Sequence, residues 1–232
     1  MKNFRLFIIL LLTTSCKSEI DYVRLFHNEI SNQIDKTFTV DNVNYMQEMN
    51  NLFEELAKEK GFENDDKAVE LRNYLITIVD NGFNNLEKNH LTSKFRSLRT
   101  KLIKIGLLDN VEFLDIDYNY ASESFFNGKI RLPDNKYVYN NGVNPNFLFK
   151  IYNPIYLKYK KELDIANKEK PDLTYGIATS EEDQSFSIVP VVGSILTQTN
   201  IKDFSEPSIR KSIILIVFGH QISLSYKLDF KK

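Results

Sequence analysis

The sequence predicts an α+β fold, with an N-terminal helical half, bundle-like in character, followed by an antiparallel strand-rich half. Apolar residues recur every three or four positions over residues 20–106, which is typical of helices that bury one side. After Gly106 the apolar residues alternate with polar ones, as in half-buried strands. Turn-forming Pro, Asn and Gly separate the later segments. We therefore expect a helical region over 20–106 and a strand-rich region over 107–232.

Four helices are predicted in the first region. The first carries its apolar residues on one face: Ile20, Val23, Ile30 and Ile34. The second is expected to begin near Asp41, as an N-cap, and to end at Gly61. Two more are predicted over 65–88 and 91–105. Each has polar residues opposite its apolar stripe, so the four can bury these stripes against one another.

The second region is predicted to be built mainly from short strands. These cover residues 111–120, 129–132, 136–139, 185–196, 212–218 and 221–230. Two tight turns support the assignment, since Pro133-Asp134-Asn135 and Gly219-His220 each separate a pair of these strands and predict hairpins. One short helix is expected over about 153–168, before Pro171.

The N-terminus has the pattern of an export signal. Met1–Arg5 carries two positive charges and no negative one, and Leu6–Leu12 is an unbroken apolar run. This run is much shorter than the roughly 20 apolar residues that span a bilayer. Small hydroxylated residues ending in Ser15 lead directly to Cys16, the only cysteine of the chain. Such a basic, apolar and then small-residue sequence is typical of a secretory signal.

Residues 1–16 resemble the signal of bacterial lipoproteins, in which a peptidase cuts before a cysteine whose thiol carries a diacylglycerol. The segment departs from the commonest pattern at Thr13, where leucine is usual. The resemblance implies a signal peptide over 1–15, cleavage between Ser15 and Cys16, and acylation of Cys16 by palmitate-type chains. Residues 16–19 would form the lipidated N-terminus and a short tether. An ordinary secreted protein cut at the same bond is the alternative.

The predicted location is therefore the cell envelope, with the protein exported and anchored in a membrane through acylated Cys16. The outer membrane is expected where the cell has one. Removal of residues 1–15 takes two basic residues from the 30 in the chain and leaves 28 against 31 acidic ones, a net charge of −3. So balanced a chain is not expected to bind nucleic acid.

No recognisable cofactor, metal or catalytic motif occurs in the sequence. The eight glycines are never closer than 14 residues apart, which excludes phosphate-binding glycine loops. The three histidines, His27, His90 and His220, have no partners at zinc-ligand spacing. We interpret His27, inside the apolar stripe of the first helix, as a core-edge histidine with one hydrogen bond rather than a buried acid–base group. His220 is interpreted as a turn residue.

The segment beginning at Asp115 starts like a calcium loop, D-x-D-x-N. Calcium loops also require glycine at the sixth position and glutamate at the twelfth. Here these positions are Tyr120 and Phe126, so a strand is the favoured interpretation.

The fourth predicted helix is basic as well as amphipathic. Its positively charged residues could face a membrane or an acidic partner: Lys94, Arg96, Arg99, Lys101 and Lys104. The favoured alternative is a core helix whose lysines and arginines form a solvated rim, because the neighbouring helices carry apolar stripes that need a partner.

These observations predict a lipid-anchored envelope protein that acts as a binding or structural module, with an unidentified protein partner and no identifiable catalysis. One alternative is a lipid-anchored hydrolase of cell-wall or surface polymers, with an acid–base pair drawn from Asp115, Asp117, Glu123 and Glu181. A toxin-neutralising, immunity-type lipoprotein is the other alternative.

Overall fold

The structure is a computed structural model, and it describes residues 21–81, 91–108, 129–131, 137–139, 145–166, 172–179 and 188–223. In these ranges the chain is mostly helical. The predicted α+β fold with a strand-rich second half is therefore wrong.

Helices make up most of the described residues in both halves of the chain. The first half contains α1 (Tyr22–Thr37), β1 (Thr39–Val40), β2 (Val43–Asn44), α2 (Tyr45–Lys60), α3 (Lys67–Asn81) and α4 (Thr92–Lys104). The second half contains β3 (Lys129–Arg131), β4 (Tyr137–Tyr139), α5 (Pro145–Ala166), α6 (Leu173–Thr179), α7 (Ile188–Gln198), a 3-10 turn (Ile201–Ser205), α8 (Pro207–Ile213), a π segment (Ile214–Phe218) and α9 (Gly219–Ser223).

The predicted N-cap at Asp41 is wrong, because Asp41 and Asn42 instead form the turn of a small hairpin. Both have positive φ, 51° and 65°, and β1 pairs with β2 through Thr39 opposite Asn44. Asp and Asn tolerate this left-handed conformation better than other non-glycine residues, which favours the turn. The cap of α2 is Asn44, whose side-chain oxygen accepts a hydrogen bond from the Gln47 amide at 3.0 Å.

The strands predicted over 212–218 and 221–230 are wrong over the part that the structure describes, which ends at Ser223. This part runs through α8, the π segment and α9 as helix, and Gly219 has helical φ and ψ of −57° and −41°. Every side chain from Ile213 to Ser223 is buried. A helix enclosed on all sides has no polar stripe, so its β-branched run imitates a buried strand.

The π segment lies in the centre of the core. The Phe218 ring meets Phe53, Phe95 and Tyr74 edge to face, with ring centroids 5.5, 5.6 and 6.2 Å apart. These rings belong to α2, α4 and α3, so Phe218 joins three helices of the first half to the C-terminal helical path.

The other predictions for the described part of the second half concern α7, the β3–β4 hairpin and α5. The strand over 185–196 is wrong, since 188–198 is helix α7 with Pro190 in its first turn, where no amide hydrogen bond is required. The hairpin is confirmed, because β3 and β4 pair antiparallel with Ile130 opposite Val138. The helix expected over 153–168 is the longer α5. The segments 111–120 and 224–230 lie outside the described residues.

The core position of Phe218 generates the first prediction. We expect Phe218→Ala to lower the free energy of unfolding by about 3–5 kcal/mol, because it removes a fully buried ring and leaves a cavity. Urea unfolding followed by circular dichroism measures this change. Val79→Ala, on the exposed side of α3, is the control and should change the value by less than about 0.5 kcal/mol. Equal effects of the two substitutions would contradict the central place of Phe218.

Candidate functional site

A chain of hydrogen bonds joins Asp172, His27 and Ser208 between α6, α1 and α8. The His27 Nε2 atom lies 2.9 Å from Asp172 Oδ2, and its Nδ1 atom lies 2.6 Å from Ser208 Oγ. His27 is 7% exposed and Ser208 is fully buried. With Ser212 and Tyr152, described below, these residues form what we call the His27 cluster.

Local structure fixes the acidic end of the cluster. Asp172 stands directly before α6, and its Oδ1 atom accepts hydrogen bonds from Thr174 Oγ1 at 2.5 Å and from the Tyr175 amide at 2.9 Å. This is N-cap geometry, in which a carboxylate satisfies a free amide of the first helical turn. Because Oδ1 is held by the cap, Oδ2 is directed to His27.

The other end of the cluster runs into α5. Ser212 Oγ donates a hydrogen bond to the Ser208 carbonyl at 2.6 Å, and the Tyr152 hydroxyl lies 2.7 Å from Ser212 Oγ. Since Ser212 has one hydroxyl hydrogen, Tyr152 is the donor to it. Burial raises the pKa of Tyr152 far above its usual value, which keeps the hydroxyl neutral. The cluster thus connects four helices through polar side chains.

Electrostatics favour a charged His27. Burial by itself would lower the pKa of His27, but the hydrogen bond and charge of Asp172, with the charges of Glu206 and Asp203, raise it above the usual value. Burial would likewise raise the pKa of Asp172. The hydrogen bond and charge of His27, with the N-cap hydrogen bonds, hold it below the usual range. The two residues therefore form an ion pair, and Nδ1 donates to Ser208 Oγ.

The order Asp–His–Ser is that of a serine hydrolase relay, yet the surroundings do not suit catalysis. A nucleophilic hydroxyl must reach a substrate carbonyl carbon, and it needs donors that stabilise the oxyanion. The Ser208 side chain is 0% exposed, so a substrate has no access to it in this conformation. The arrangement is instead a fully hydrogen-bonded polar network that fixes the positions of α1, α5, α6 and α8.

The sequence predicts His27 at the edge of the core but does not indicate its partners. The structure gives it two side-chain partners rather than the single one expected, and Ser208 lies 181 positions away. No local spacing could indicate a contact across that separation. His220, interpreted as a turn residue, is instead buried on α9.

The basic residues predicted on the fourth helix lie on α4. Its apolar side faces the core, where Leu91, Phe95, Leu98 and Leu102 are buried. Lys94 Nζ lies 2.5 Å from Glu55 Oε2, and Lys101 Nζ lies 2.8 Å from Glu48 Oε2. The remaining three basic residues are exposed or half-buried: Arg96, Arg99 and Lys104. Two of the five positive charges thus face carboxylates of α2.

A groove of about 420 Å³ runs between α2 and α4, lined by these two ion pairs. Its floor is Leu52 and Leu98, and its walls carry the amide of Asn51 and the hydroxyls of Ser93 and Ser97. The four charged groups are already neutralised in pairs, so the groove presents a polar surface with little net charge.

Several predicted residues lie outside the described part of the chain: Ser15, Cys16, His90, Asp115, Asp117, Glu123 and Glu181. Among the described residues, no group of three or more His, Cys, Asp or Glu side chains is arranged to hold a metal ion. None of the described helices is both long and apolar enough to cross a membrane.

Comparisons with known proteins give no match: no family model fits the chain, and no curated protein or solved structure is significantly similar to it.

The second prediction concerns pH. A raised folded pKa means that His27 stabilises the fold fully below its unfolded pKa of about 6.5, and that this stability is lost as pH rises through the folded pKa. We therefore expect the free energy of unfolding to fall as pH rises above about 6.5. His27→Gln should remove this fall and cost about 1–3 kcal/mol at pH 6, because the half-buried carboxylate of Asp172 loses its charged partner. Urea titrations of both proteins at several pH values measure the effect, and an unchanged pH slope in the variant would contradict the ion pair.

The third prediction separates a structural role of Ser208 from a catalytic one. Ser208→Ala should lower the free energy of unfolding by about 1–3 kcal/mol, since His27 Nδ1 loses its partner. Ser205→Ala is the control, because that exposed hydroxyl bonds only the Lys202 carbonyl of the 3-10 turn. Hydrolysis of model esters should be the same for all three proteins. Ester hydrolysis by the wild type that Ser208→Ala alone abolishes would show that the relay is catalytic.

Proposed function

We propose that this protein is an exported, lipid-anchored component of the cell envelope whose helical domain is a non-catalytic binding or structural module. The observation that carries the proposal is the position of Cys16, the single cysteine, directly after the apolar run Leu6–Leu12 and three small residues. A thioether-linked diacylglycerol supplies two acyl chains, and two chains give stable anchoring where one would be marginal.

The start of α1 supports a close attachment to the bilayer. Asp21 caps α1 by accepting a hydrogen bond from the Arg24 amide at 2.9 Å, so the helix begins at Tyr22, six residues after Cys16. Six fully extended residues reach about 22 Å. The helical domain would therefore be held near the membrane surface rather than on a long stalk.

The attachment of α1 to its neighbours supports a rigid module. Besides the contacts of His27, Lys211 of α8 donates hydrogen bonds to Ser31 and Asp35 of α1, with Lys211 Nζ 2.7 Å from Asp35 Oδ2. Glu29 of α1 accepts hydrogen bonds from Lys158 and Tyr159 of α5, both at 2.7 Å. The helix that follows the anchor is thus tied to two others at several points, so the domain would move with its tether as one body.

The buried Asp–His–Ser arrangement also favours a non-catalytic module. It has the chemical order of a hydrolase relay but a fully covered serine, and its hydrogen bonds join helices. We interpret it as part of the scaffold that keeps the outer surfaces in place.

The fourth prediction tests the anchor. Expressed from its full reading frame in a lipoprotein-competent bacterium, the wild-type protein should lose residues 1–15 and partition into the detergent phase. Cys16→Ser should accumulate as precursor or be released in soluble form, because serine cannot receive the thioether-linked lipid. Ser18→Ala is the matched control and should behave as wild type. Mass spectrometry of the N-terminal peptide and phase partitioning measure the outcome. Normal processing and membrane binding of Cys16→Ser would overturn the proposed function.

A further inference from the structure

Helices α1 and α5 run antiparallel, which brings the start of α1 beside the end of α5. At one end of the pair the Phe38 ring, just after α1, meets Phe147 near the start of α5, with centroids 5.6 Å apart. In the middle, Glu29 Oε2 pairs with Lys158 Nζ at 2.7 Å. The opposite end therefore contains Tyr22, the first residue of α1, and Ile165, next to the last residue of α5.

Large apolar side chains are exposed from the middle of the helix pair to this end. Tyr22 and Leu25 of α1 are 37% and 42% exposed, and Ile165 of α5 is 66% exposed. Leu157, beside Lys158 in the middle, is 58% exposed. Tyr22 and Ile165 each lie seven residues from the Glu29–Lys158 pair, about 10 Å along their helices. Steps of seven and four place Tyr22 and Leu25 on the face of α1 that carries Glu29, and a step of seven places Ile165 on the face of α5 that carries Lys158. Leu157 lies about a quarter turn from Lys158 on the exposed side of α5, with Lys160 and Lys161 three and four residues after it.

Charges of both signs lie among these apolar residues, four basic and four acidic, and the two signs differ in how far they are exposed and engaged. Lys160 and Lys161 are exposed and form no ion pair with a described residue, and Arg24 is exposed as well. The nearby acids are engaged or partly covered: Glu29 binds Lys158, Asp164 accepts from the Tyr156 and Tyr175 hydroxyls, Asp21 caps α1 and Glu162 is half-buried. We call the set of Tyr22, Arg24, Leu25, Leu157, Lys160, Lys161 and Ile165 the α1/α5 surface.

We propose that the α1/α5 surface docks on the anionic headgroup region of the bilayer that holds the anchor. This rests on the proposed acylation of Cys16. Tyr22 is six residues from Cys16, so even an extended chain leaves it within about 22 Å of the anchored thiol. Exposed Tyr, Leu and Ile side chains can enter the interfacial region, while lysines keep their ammonium groups among the phosphates.

The α4 helix is a weaker membrane-docking surface despite its five basic residues. Its apolar residues are buried in the core, and Lys94 and Lys101 are paired with Glu55 and Glu48. Interfacial binding scales with the apolar area that leaves water, together with unpaired positive charge. Of these two surfaces, the α1/α5 surface is the one that combines both with proximity to the tether.

Depth-dependent quenching tests the docking. Acylation occupies Cys16, so an introduced cysteine is the only free thiol and can carry a fluorophore at Leu25→Cys, Ile165→Cys or the control Val79→Cys, which is also exposed. The lipidated proteins are reconstituted in vesicles containing phosphatidylglycerol and a lipid with a nitroxide near its headgroup. We expect at least twofold stronger quenching at positions 25 and 165 than at 79. Equal quenching at the three positions would overturn the proposal.

Charge reversal gives the second arm. Lys160→Glu with Lys161→Glu should reduce quenching at position 25 in phosphatidylglycerol vesicles, and so should a rise in salt that shortens the Debye length. Lys58→Glu with Lys60→Glu, at the exposed end of α2, is the matched control and should have no effect. An equal reduction by both pairs would mean that overall charge, not this surface, governs the contact and would also overturn the proposal.

Flotation of the same vesicles keeps the two proposals distinguishable. If the protein floats only when Cys16 is intact and quenching is uniform, the anchor stands and the docking is wrong. If it fails to float, or if Cys16→Ser floats equally well, the lipid anchor is wrong, and the docking that depends on it falls as well.

Discussion

The ion pair between buried His27 and half-buried Asp172 is the constraint on which the arrangement of the helices depends. Charges withdrawn from water lose hydration free energy, and they recover it only with good geometry and further hydrogen bonds. Here the further bonds come from Ser208 on α8 and from the N-cap of α6. The pair is therefore favourable only when α1, α6 and α8 all occupy their native positions, which makes it sensitive to a displacement of any one of them.

The helical path from α8 to the π segment has a polar first part and an apolar second part. In α8, Ser208 and Lys211 contact α1, and Arg210 contacts α3, with Arg210 Nη2 3.2 Å from the fully buried Glu70. The π segment that follows offers only apolar side chains, with Phe218 among aromatic rings. Polar contacts, which are directional, thus set the orientation of the path at its start. Packing, which is non-directional, then fills the centre.

The sequence predicted those elements whose physical signal is local. Helices α1, α2 and α4 each keep one polar side, so their apolar stripes were visible, although the start of α2 was displaced by the Asp41-Asn42 turn. The run around Ile216 has no polar side because the fold surrounds it, and without the neighbours its β-branched residues indicate a strand. The partners of His27 were hidden for a related reason, since they meet it only after the whole chain has folded. The export signal predicted up to Cys16 is likewise a local pattern, which depends on no tertiary contact.

The two sides of α1 meet different surroundings, and this gives the helix its place in the proposed function. Phe26, Ile30 and Ile34 are buried in the core, whereas Tyr22 and Leu25 are left in contact with water. Removing apolar surface from water gains about 25 cal/mol per Å², and an interfacial membrane contact of Tyr22 and Leu25 would gain this free energy. The proposed short tether would keep that contact within reach, and the hydrogen bonds of His27 fix the position of α1 relative to α6 and α8. On this proposal His27, which resembles a catalytic residue, instead links the rest of the domain to the helix nearest the membrane.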